Sequence, residues 1–452
     1  MVTWRDTYRS VVLGLLIGQL LLVLVYAFTR TWFKASLICS VSLLAFYSYA
    51  SVRDGLCYGL PKHELFCMHR YVLPLVGFVV LASSVLIWRG LSKVQPVHEA
   101  ALVISAVLVL WPVARIVTGG GNSLVKSSGG LAGLDLTLSK PDPAPDVYYI
   151  ILDSYARSDV LAKMGYDNRQ FTDFLLAKGF YIAEASASNY GTTIESLSSS
   201  LNLDYLPTGG ERISFQEMAH LIDHSRVTEA LKGLGYTTVA FSTGYDFADM
   251  ADADLFWAPY GILPRLNEFE SALLDTTALR SLGENSRMDR VRNLYALGRL
   301  HEPAQLPGEY FVFALITATH APYVFSPDGE PVDETALGVT GYLHQIEFVN
   351  RRLMTVIDQI LTESETPPVI ILQADHGHRI LEAASLTSEE DRDHAILSAY
   401  YLPGACGELD RPAISPVNNF RLLFSRCFGA DLPLLEDRIV QAGGATGKAR
   451  DS

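Results

Sequence analysis

Four long apolar stretches crowd the first 118 residues, and a chain with that much contiguous apolar length has few places to put it. They run roughly over 11–28, 35–51, 71–88 and 99–117. Each is about 17–20 residues with few or no internal charges, close to the length a helix needs to cross a bilayer. Trp4, Trp32, Trp88 and Trp111 lie near their ends, where amphipathic rings sit at a membrane interface. Buried core helices are the alternative, but four in succession are hard to house in a soluble core. A cleaved signal peptide fits poorly, since the first stretch is long and three more follow. The expectation is an integral membrane protein with a transmembrane region over 1–118.

Charge changes sign where the apolar stretches end. Residues 1–118 carry 10 Lys/Arg against 4 Asp/Glu, and the remainder carries 25 against 45. An acidic soluble part argues against a nucleic-acid partner, because phosphate backbones call for a basic surface. It also disfavours a domain lying flat on anionic lipid. The connections give no clear orientation. Arg30, Lys34, Arg89 and Lys93 lie in the first and third, and Arg5, Arg9, Arg53, Lys62 and Arg70 lie in the N-terminal tail and the second. The balance leans slightly to a cytoplasmic N-terminus, which with four spans would leave the large domain cytoplasmic too. Of the five cysteines, Cys39, Cys57, Cys67, Cys406 and Cys427, none forms a CxxC zinc or redox pattern. Cys57 and Cys67 share one connection, so an extracytoplasmic disulfide and isolated thiols both stand as readings.

Residues 119–145 read as a linker, marked by Gly119-Gly120-Gly121, Ser127-Ser128-Gly129-Gly130 and Pro141-Asp142-Pro143-Ala144-Pro145. From 146 to about 437 strands alternate with helices. Strands are expected at 147–152, 236–241, 310–316 and 369–374. Helices are expected near 168–178, ending at Gly179, over 224–234, ending at Gly235, and over 342–361, where Tyr342, Ile346, Val349, Leu353, Ile357 and Ile360 recur at helical spacing. This alternation predicts an α/β domain with a mostly parallel central sheet flanked by helices. Residues 438–452 read as a polar, disordered tail. There is no internal repeat, and no oligomeric state is legible.

Two of the strands end in the same way. Val147-Tyr148-Tyr149-Ile150-Ile151-Leu152 stops at Asp153, and Val369-Ile370-Ile371-Leu372-Gln373-Ala374 stops at Asp375-His376-Gly377. Buried parallel strands read as continuous β-branched runs, and open α/β sheets place their chemistry at the carboxyl ends of strands. Carboxylate with imidazole suits Zn²⁺ or Mn²⁺, whereas an all-oxygen shell would point to Ca²⁺ or Mg²⁺. Between them, Ser188-Asn189-Tyr190-Gly191-Thr192-Thr193-Ile194-Glu195-Ser196-Leu197 places a hydroxyl where a helix begins. There the helix dipole and a metal could stabilise an alkoxide. The spacing equally fits Thr192 or Thr193 as a plain N-cap, and Thr192 competes with Thr193 as nucleophile. His320, in His320-Ala321-Pro322-Tyr323, follows another expected strand and could protonate a leaving oxygen or bind a phosphoryl group. A structural role for a lone histidine is the other reading. His378 and His394 read as core or metal-supporting residues.

On these residues the chain from about 146 to 434 resembles the sulfatase-like branch of the alkaline phosphatase superfamily. Within it the likeness is to membrane-anchored lipoteichoic acid synthases and lipid A phosphoethanolamine transferases. The shared features are Asp153 after the first strand, Thr193 opening a helix, His320 in a His-x-Pro-aromatic segment, and Asp375-His376-Gly377. The resemblance implies one divalent metal ion, Mn or Zn, with Mg or Ca less favoured, held by Asp153, Thr193, Asp375 and His376. It implies Thr193 as a nucleophile that takes a phospho-group from a membrane lipid, with His320 at the substrate or leaving group. It further implies a bacterial inner membrane location with the catalytic domain extracytoplasmic.

Departures narrow this. No cysteine lies in the Cys/Ser-x-Pro/Ala-x-Arg pattern that sulfatases convert to formylglycine, which argues against sulfate-ester hydrolysis by that route. Asp153 is followed by Ser154 and not by a second Asp, which argues against a second metal. The transferases commonly have five spans where four are visible here, so the family topology implies an outside N-terminus or a first span missing from this chain. A metal-dependent phosphodiesterase or phosphatase using the same residues, with water as acceptor, is the alternative activity. An inactive membrane protein that keeps the fold for binding or assembly is the alternative of another class.

Overall fold

The computed structural model describes residues 4–53, 69–90, 136–207, 213–259, 270, 273–274, 276–279, 284–332, 338–380, 383 and 385–440. The fourth apolar stretch, Cys57, Cys67, residues 119–135 of the linker and residues 441–452 of the tail lie outside the described residues.

The chain divides into two compact units. One comprises 2–128 with 266–285, and the other 129–265 with 286–452. In the first, α1 (Trp4–Thr29), α2 (Trp32–Tyr47) and α3 (His69–Gly90) take up three of the apolar stretches. Val12, Leu13, Leu15, Leu16, Ile17 and Leu20 of α1 all remain exposed. That many large apolar side chains around one helix need a non-aqueous surround. Among the described residues, Tyr8–Thr29 and Tyr71–Arg89 are long and apolar enough to cross a membrane, while α2 is apolar but shorter. Its helix stops at Ser48, whose hydroxyl donates to the Leu44 carbonyl. Lys34 Nζ donates to the Trp88 carbonyl at 2.8 Å, tying the start of α2 to the end of α3.

The second unit is built on a seven-stranded sheet in the order β2-β7-β6-β1-β5-β3-β4. The strands are β1 (Val147–Leu152), β2 (Tyr181–Ile182), β3 (Thr237–Phe241), β4 (Leu255–Trp257), β5 (Tyr310–Ile316), β6 (Val369–Ala374) and β7 (Ser398–Tyr401). From β6 through β4 all pairings are parallel, and only β7 runs against its neighbours β6 and β2. β1 is central and fully buried. Its alternate side chains feed two cores: Tyr148, Ile150 and Leu152 enter one, and Val147, Tyr149 and Ile151 the other. That two-sided burial is why the strand reads as an unbroken apolar run.

The helices follow the sequence pattern with shifted ends. They are α4 (Ser158–Lys163), α5 (Arg169–Ala177), α6 (Thr193–Ser200), α7 (Phe215–Asp223), α8 (Arg226–Gly233), α9 (Glu284–Arg299), α10 (Gly338–Glu363), α11 (Glu389–His394) and α12 (Asn419–Cys427). α10 buries Tyr342, Ile346, Val349, Leu353, Ile357 and Ile360 in the first core, each such side chain contributing about 1.5–3 kcal/mol. Gly179 and Gly235 have φ of +91° and +88° and end α5 and α8 in the left-handed conformation that glycine adopts freely.

Two stretches that read as loose are held. Within the linker, Ser139 N–H donates to the Phe428 carbonyl and Lys140 pairs with Glu309 at 3.0 Å. Leu136, Leu138 and Ala144 pack on the second core. At the start of the tail, the Arg438 guanidinium lies 4.2 Å from the Tyr205 ring centre, and Val440 N–H donates to the Asn189 carbonyl. Cys406 and Cys427, far apart in sequence, form a disulfide that spacing alone did not disclose.

Asp146, the residue before β1, accepts a 2.8 Å hydrogen bond from Tyr310 N–H. Burial nonetheless pushes its carboxyl up to about 6, with the Glu309 charge adding to the rise. Its folded pKa thus lies above the unfolded value, so the folded state holds the extra proton between roughly pH 4 and 6 and the charged form costs stability above that range. Asp146→Asn keeps the acceptor and removes the charge. Thermal unfolding across pH 4–8 should show the variant more stable than the parent at pH 7, by roughly 1–2 kcal/mol, with the difference shrinking as pH falls below 6.

Candidate metal centre and nucleophile

The register of three strands sets the site. Leu152 lies opposite Ala374 on one side and Ile316 on the other, so β1, β5 and β6 end level. Asp153 and Asp375 therefore emerge side by side from the middle of the sheet, where the order turns outward to either hand. Such a point is where open α/β sheets form a crevice. Both carboxylates, and His376 beside them, are buried.

Backbone and side chains fix this pair tightly. Asp375 Oδ1 accepts from Ser154 N–H at 3.1 Å and from His376 N–H at 2.9 Å. Asp153 Oδ1 accepts from Ser154 Oγ at 3.1 Å. Ser154 reaches both by adopting φ +64°, a left-handed geometry that costs a non-glycine residue about 1–2 kcal/mol. The Tyr342 hydroxyl, from α10, donates to the Ser154 carbonyl at 2.8 Å and accepts from Ala156 N–H at 2.9 Å. Thr319 Oγ1 donates to the Asp153 carbonyl. The other oxygen of each acid, Oδ2 of Asp153 and of Asp375, is buried without a hydrogen-bond partner.

His376 faces this pair. Its Nδ1 lies 2.9 Å from the Gly377 carbonyl, so the ring proton belongs on Nδ1 and the Nε2 lone pair points inward. Nε2 is 3.5 Å from Asp375 Oδ2, 3.6 Å from Asp153 Oδ1 and 3.3 Å from Thr193 Oγ1. Thr193 opens α6, and Ser196 one turn later donates to the Asp375 carbonyl at 2.7 Å, pinning the helix to the acid. The two threonines are thereby separated. Thr192 is the N-cap residue, yet its hydroxyl donates to Glu195 at 2.6 Å and does not cap the helix, while Thr193 turns to His376.

Asp153, Asp375 and His376 fit a divalent ion. Their ligand atoms all lie within 4.8 Å of one another. A tetrahedral ion with bonds of about 2.0–2.1 Å has ligand edges of about 3.4 Å, close to the spacings around His376 Nε2. Two buried carboxylate oxygens without donors are what such an ion would satisfy. Burial, and then the Asp375 charge, drive the Asp153 carboxyl well above the usual carboxylate range, opposed by His376, Ser154 and Arg379.

The remaining histidines are placed differently. His320 is exposed at the end of β5, with Nδ1 2.6 Å from the Ala321 carbonyl and 3.4 Å from the Tyr245 hydroxyl. It shares the strand-end region with Asp153 through its neighbour Thr319. His378 is a core residue: Nδ1 accepts from Ile380 N–H, Nε2 meets Thr387, and burial, with the Arg392 charge next, lowers its pKa to about 4. His394 is half-buried, with Nδ1 3.2 Å from both the hydroxyl and the carbonyl of Ser188, and burial lowers its pKa.

Sequence reasoning missed the supporting residues. Ser154, Thr319, Tyr342 and Ser196 carry no motif, since each acts across at least 166 positions. Gly377 had a motif but no reason. A Cβ there would sit 2.3 Å from the Arg392 carbonyl oxygen and 2.8 Å from its carbon, and both are backbone atoms that cannot swing away. Gly377 N–H also donates to the Asp393 carbonyl. Gly377→Ala should therefore displace His376, lower the thermal midpoint by the equivalent of about 1–3 kcal/mol, and weaken Zn²⁺ binding at least tenfold in a chelator competition assay. Unchanged zinc affinity would show that the backbone contact does not position the ligand.

No family model and no curated protein matches the chain. Among solved structures the chain is similar to members of the alkaline phosphatase superfamily at low identity. A superfamily protein from Vibrio parahaemolyticus matches at 12% identity and TM-score 0.42, covering 62% of this chain and 65% of that one, just under two-thirds of its length. The C-terminal periplasmic domain of EcEptC from Escherichia coli matches at 11% and 0.43, covering 64% and 83%. The integral membrane lipooligosaccharide phosphoethanolamine transferase EptA from Neisseria meningitidis matches at 13% and 0.41, covering 91% and 83%.

Proposed function

We propose that the protein is a membrane-anchored, metal-dependent phospho-group transferase with Thr193 as its nucleophile. The observation that carries this reading is the convergence on His376 Nε2 of Thr193 Oγ1 and two buried carboxylates whose outer oxygens are unpaired. Asp153, Asp375, His376 and Thr193 would hold one divalent ion, Zn²⁺ or Mn²⁺. When bound, it supplies Lewis-acid stabilisation of the threonine oxygen and of a phosphoryl oxygen.

The chain's own residues account for the rest. Asp153 and Asp375 would give the centre its carboxylate ligands, and the Nδ1–H bond to Gly377 keeps Nε2 of His376 available. Thr193 opens α6, at the positive end of the helix dipole, which favours negative charge there. Thr193 Oγ1 releases its proton to solvent and bonds phosphorus as the bond to the lipid alcohol breaks, and protonated His320 gives that alcohol the proton it needs. An acceptor hydroxyl then gives its proton back to His320 and displaces Thr193. The donor is a membrane phospholipid with a phosphoethanolamine or phosphoglycerol head group, and the acceptor an envelope glycan or lipid. Exposed apolar helices support a bilayer location, in whose plane a lipid donor lies.

The disulfide bears on the side of the membrane. Cys406 and Cys427 pair in the catalytic unit, and disulfides persist in oxidising compartments. This favours an extracytoplasmic domain on the inner membrane over the slight cytoplasmic lean of the loop charges. In membranes from expressing cells, a thiol reagent should label Cys406 and Cys427 only after reduction. Labelling without reduction would put the domain on the reducing side.

Intact mass after incubation with Zn²⁺ or Mn²⁺ and phospholipid tests the chemistry. Parent protein should gain a phospho-head-group that peptide mapping places on Thr193. Thr193→Ala should gain none, lose at least about 10³-fold in turnover and still bind metal. Full turnover by that variant would overturn the threonine mechanism. Phosphate release from simple esters with no adduct would favour the hydrolase.

A further inference from the structure

We infer that the chain carries a second metal site on its surface, built by Asp223, His224 and Asp252. α7 ends at Asp223, and His224 follows as its C-cap. The loop between β3 and β4 comes back to this helix end, where Asp252 N–H donates to Asp223 Oδ1 at 3.0 Å. That bond fixes the Asp223 carboxylate and leaves Oδ2 free. His224 Nε2 then lies 3.8 Å from Asp223 Oδ2 and 3.4 Å from Asp252 Oδ2, and the three ligand atoms fall within 4.8 Å of one another. These spacings match the edges of about 3.4 Å expected around a tetrahedral ion.

His220 is four residues before His224 on the same helix face, and their rings sit 4.5 Å apart at 56°. One imidazole and two carboxylates from this cluster suit a borderline transition ion, Zn²⁺ above all, over Ca²⁺ or Mg²⁺. Among the described residues no Lys or Arg side chain pairs with Asp223 or Asp252. Lys232 Nζ meets the Asp252 backbone carbonyl and the Asp254 carboxylate instead. Two neighbouring acids facing one histidine form a locally negative surface cluster that favours a cation.

The site joins segments that approach the proposed active centre from two directions. Asn202, just after α6, donates to the Leu221 carbonyl on α7 at 2.7 Å and accepts from Arg226 N–H at 3.2 Å. The β3–β4 loop also carries Tyr245, which contacts His320. An ion here clamps the end of α7 to that loop, and because the folded arrangement binds it and the unfolded chain does not, it stabilises the fold by mass action.

Zinc content and thermal midpoint of the full chain in detergent, stripped by chelator and titrated with Zn²⁺ alone, test the site. The parent should bind one equivalent more than His224→Ala and one more than Asp252→Asn. The zinc-dependent rise in midpoint should shrink in both. His376→Ala should keep the surface equivalent and lose the other, so failure of one site is distinguishable from failure of its neighbour. Circular dichroism identifies a variant that does not fold, and Asp252→Asn, on an exposed loop, then decides. Equal zinc content and equal midpoint shifts in parent, His224→Ala and Asp252→Asn would overturn the proposal, leaving a histidine–carboxylate ion pair only.

Discussion

Two acids side by side beneath the protein surface are the constraint on which the domain turns. Asp153 and Asp375 sit where neighbouring parallel strands end level. Burial raises the Asp153 carboxyl above its ordinary range. The surrounding structure answers that cost incompletely: amide donors reach one oxygen of Asp375, a serine hydroxyl reaches one of Asp153, and the other two oxygens are left open. A fold optimised for stability alone would have replaced such a pair with apolar residues. Keeping it, with a histidine and a threonine turned toward the same point, fits the metal centre proposed here.

The parts of this arrangement that were legible in the chain are those carried by local periodicity. β1 and β6 are buried on both faces and read as unbroken apolar runs, so the acids that end them stood out. α10 read cleanly because one stripe faces one core. What stayed hidden depends on distance in sequence. β7 is short, runs antiparallel and alternates between two environments, so it left no run to recognise. The Cys406–Cys427 pair lacks a spacing motif. Asp375-His376-Gly377 was visible as a pattern, yet the reason for its glycine lies in the backbone of Arg392 and Asp393, which nothing local to the motif announces. The proposal of Thr193 over Thr192 likewise rests on the Glu195 contact and the His376 contact together.

The membrane part rests on a different kind of argument. Its helices are recognised by what they fail to bury, and among the described residues two are long enough to span. The proposed chemistry would give that anchoring a purpose, because a nucleophile serving lipid head groups is useful only when held close to the bilayer. Charge in the connections pointed weakly one way on topology, and the disulfide in the catalytic unit points the other. The covalent bond is the more discriminating of the two, since it reports the redox state of the compartment, whereas the loop charges are nearly balanced.

The Tyr342 hydroxyl has a consequence for how the scaffold can vary. By composition it belongs to an ordinary apolar seam, one ring among many on a long buried helix. By contact its hydroxyl bridges the carbonyl of Ser154 and the amide of Ala156. A phenylalanine there would satisfy every packing rule, preserve the helix and the core volume, and leave two backbone groups unpaired directly after a proposed metal ligand. Redesign that treats the interior as interchangeable hydrocarbon would conserve the fold and lose the loop geometry. Neutral drift in this lineage is thus expected to be freer at Ile346 or Leu353 than at Tyr342, although all three line the same seam.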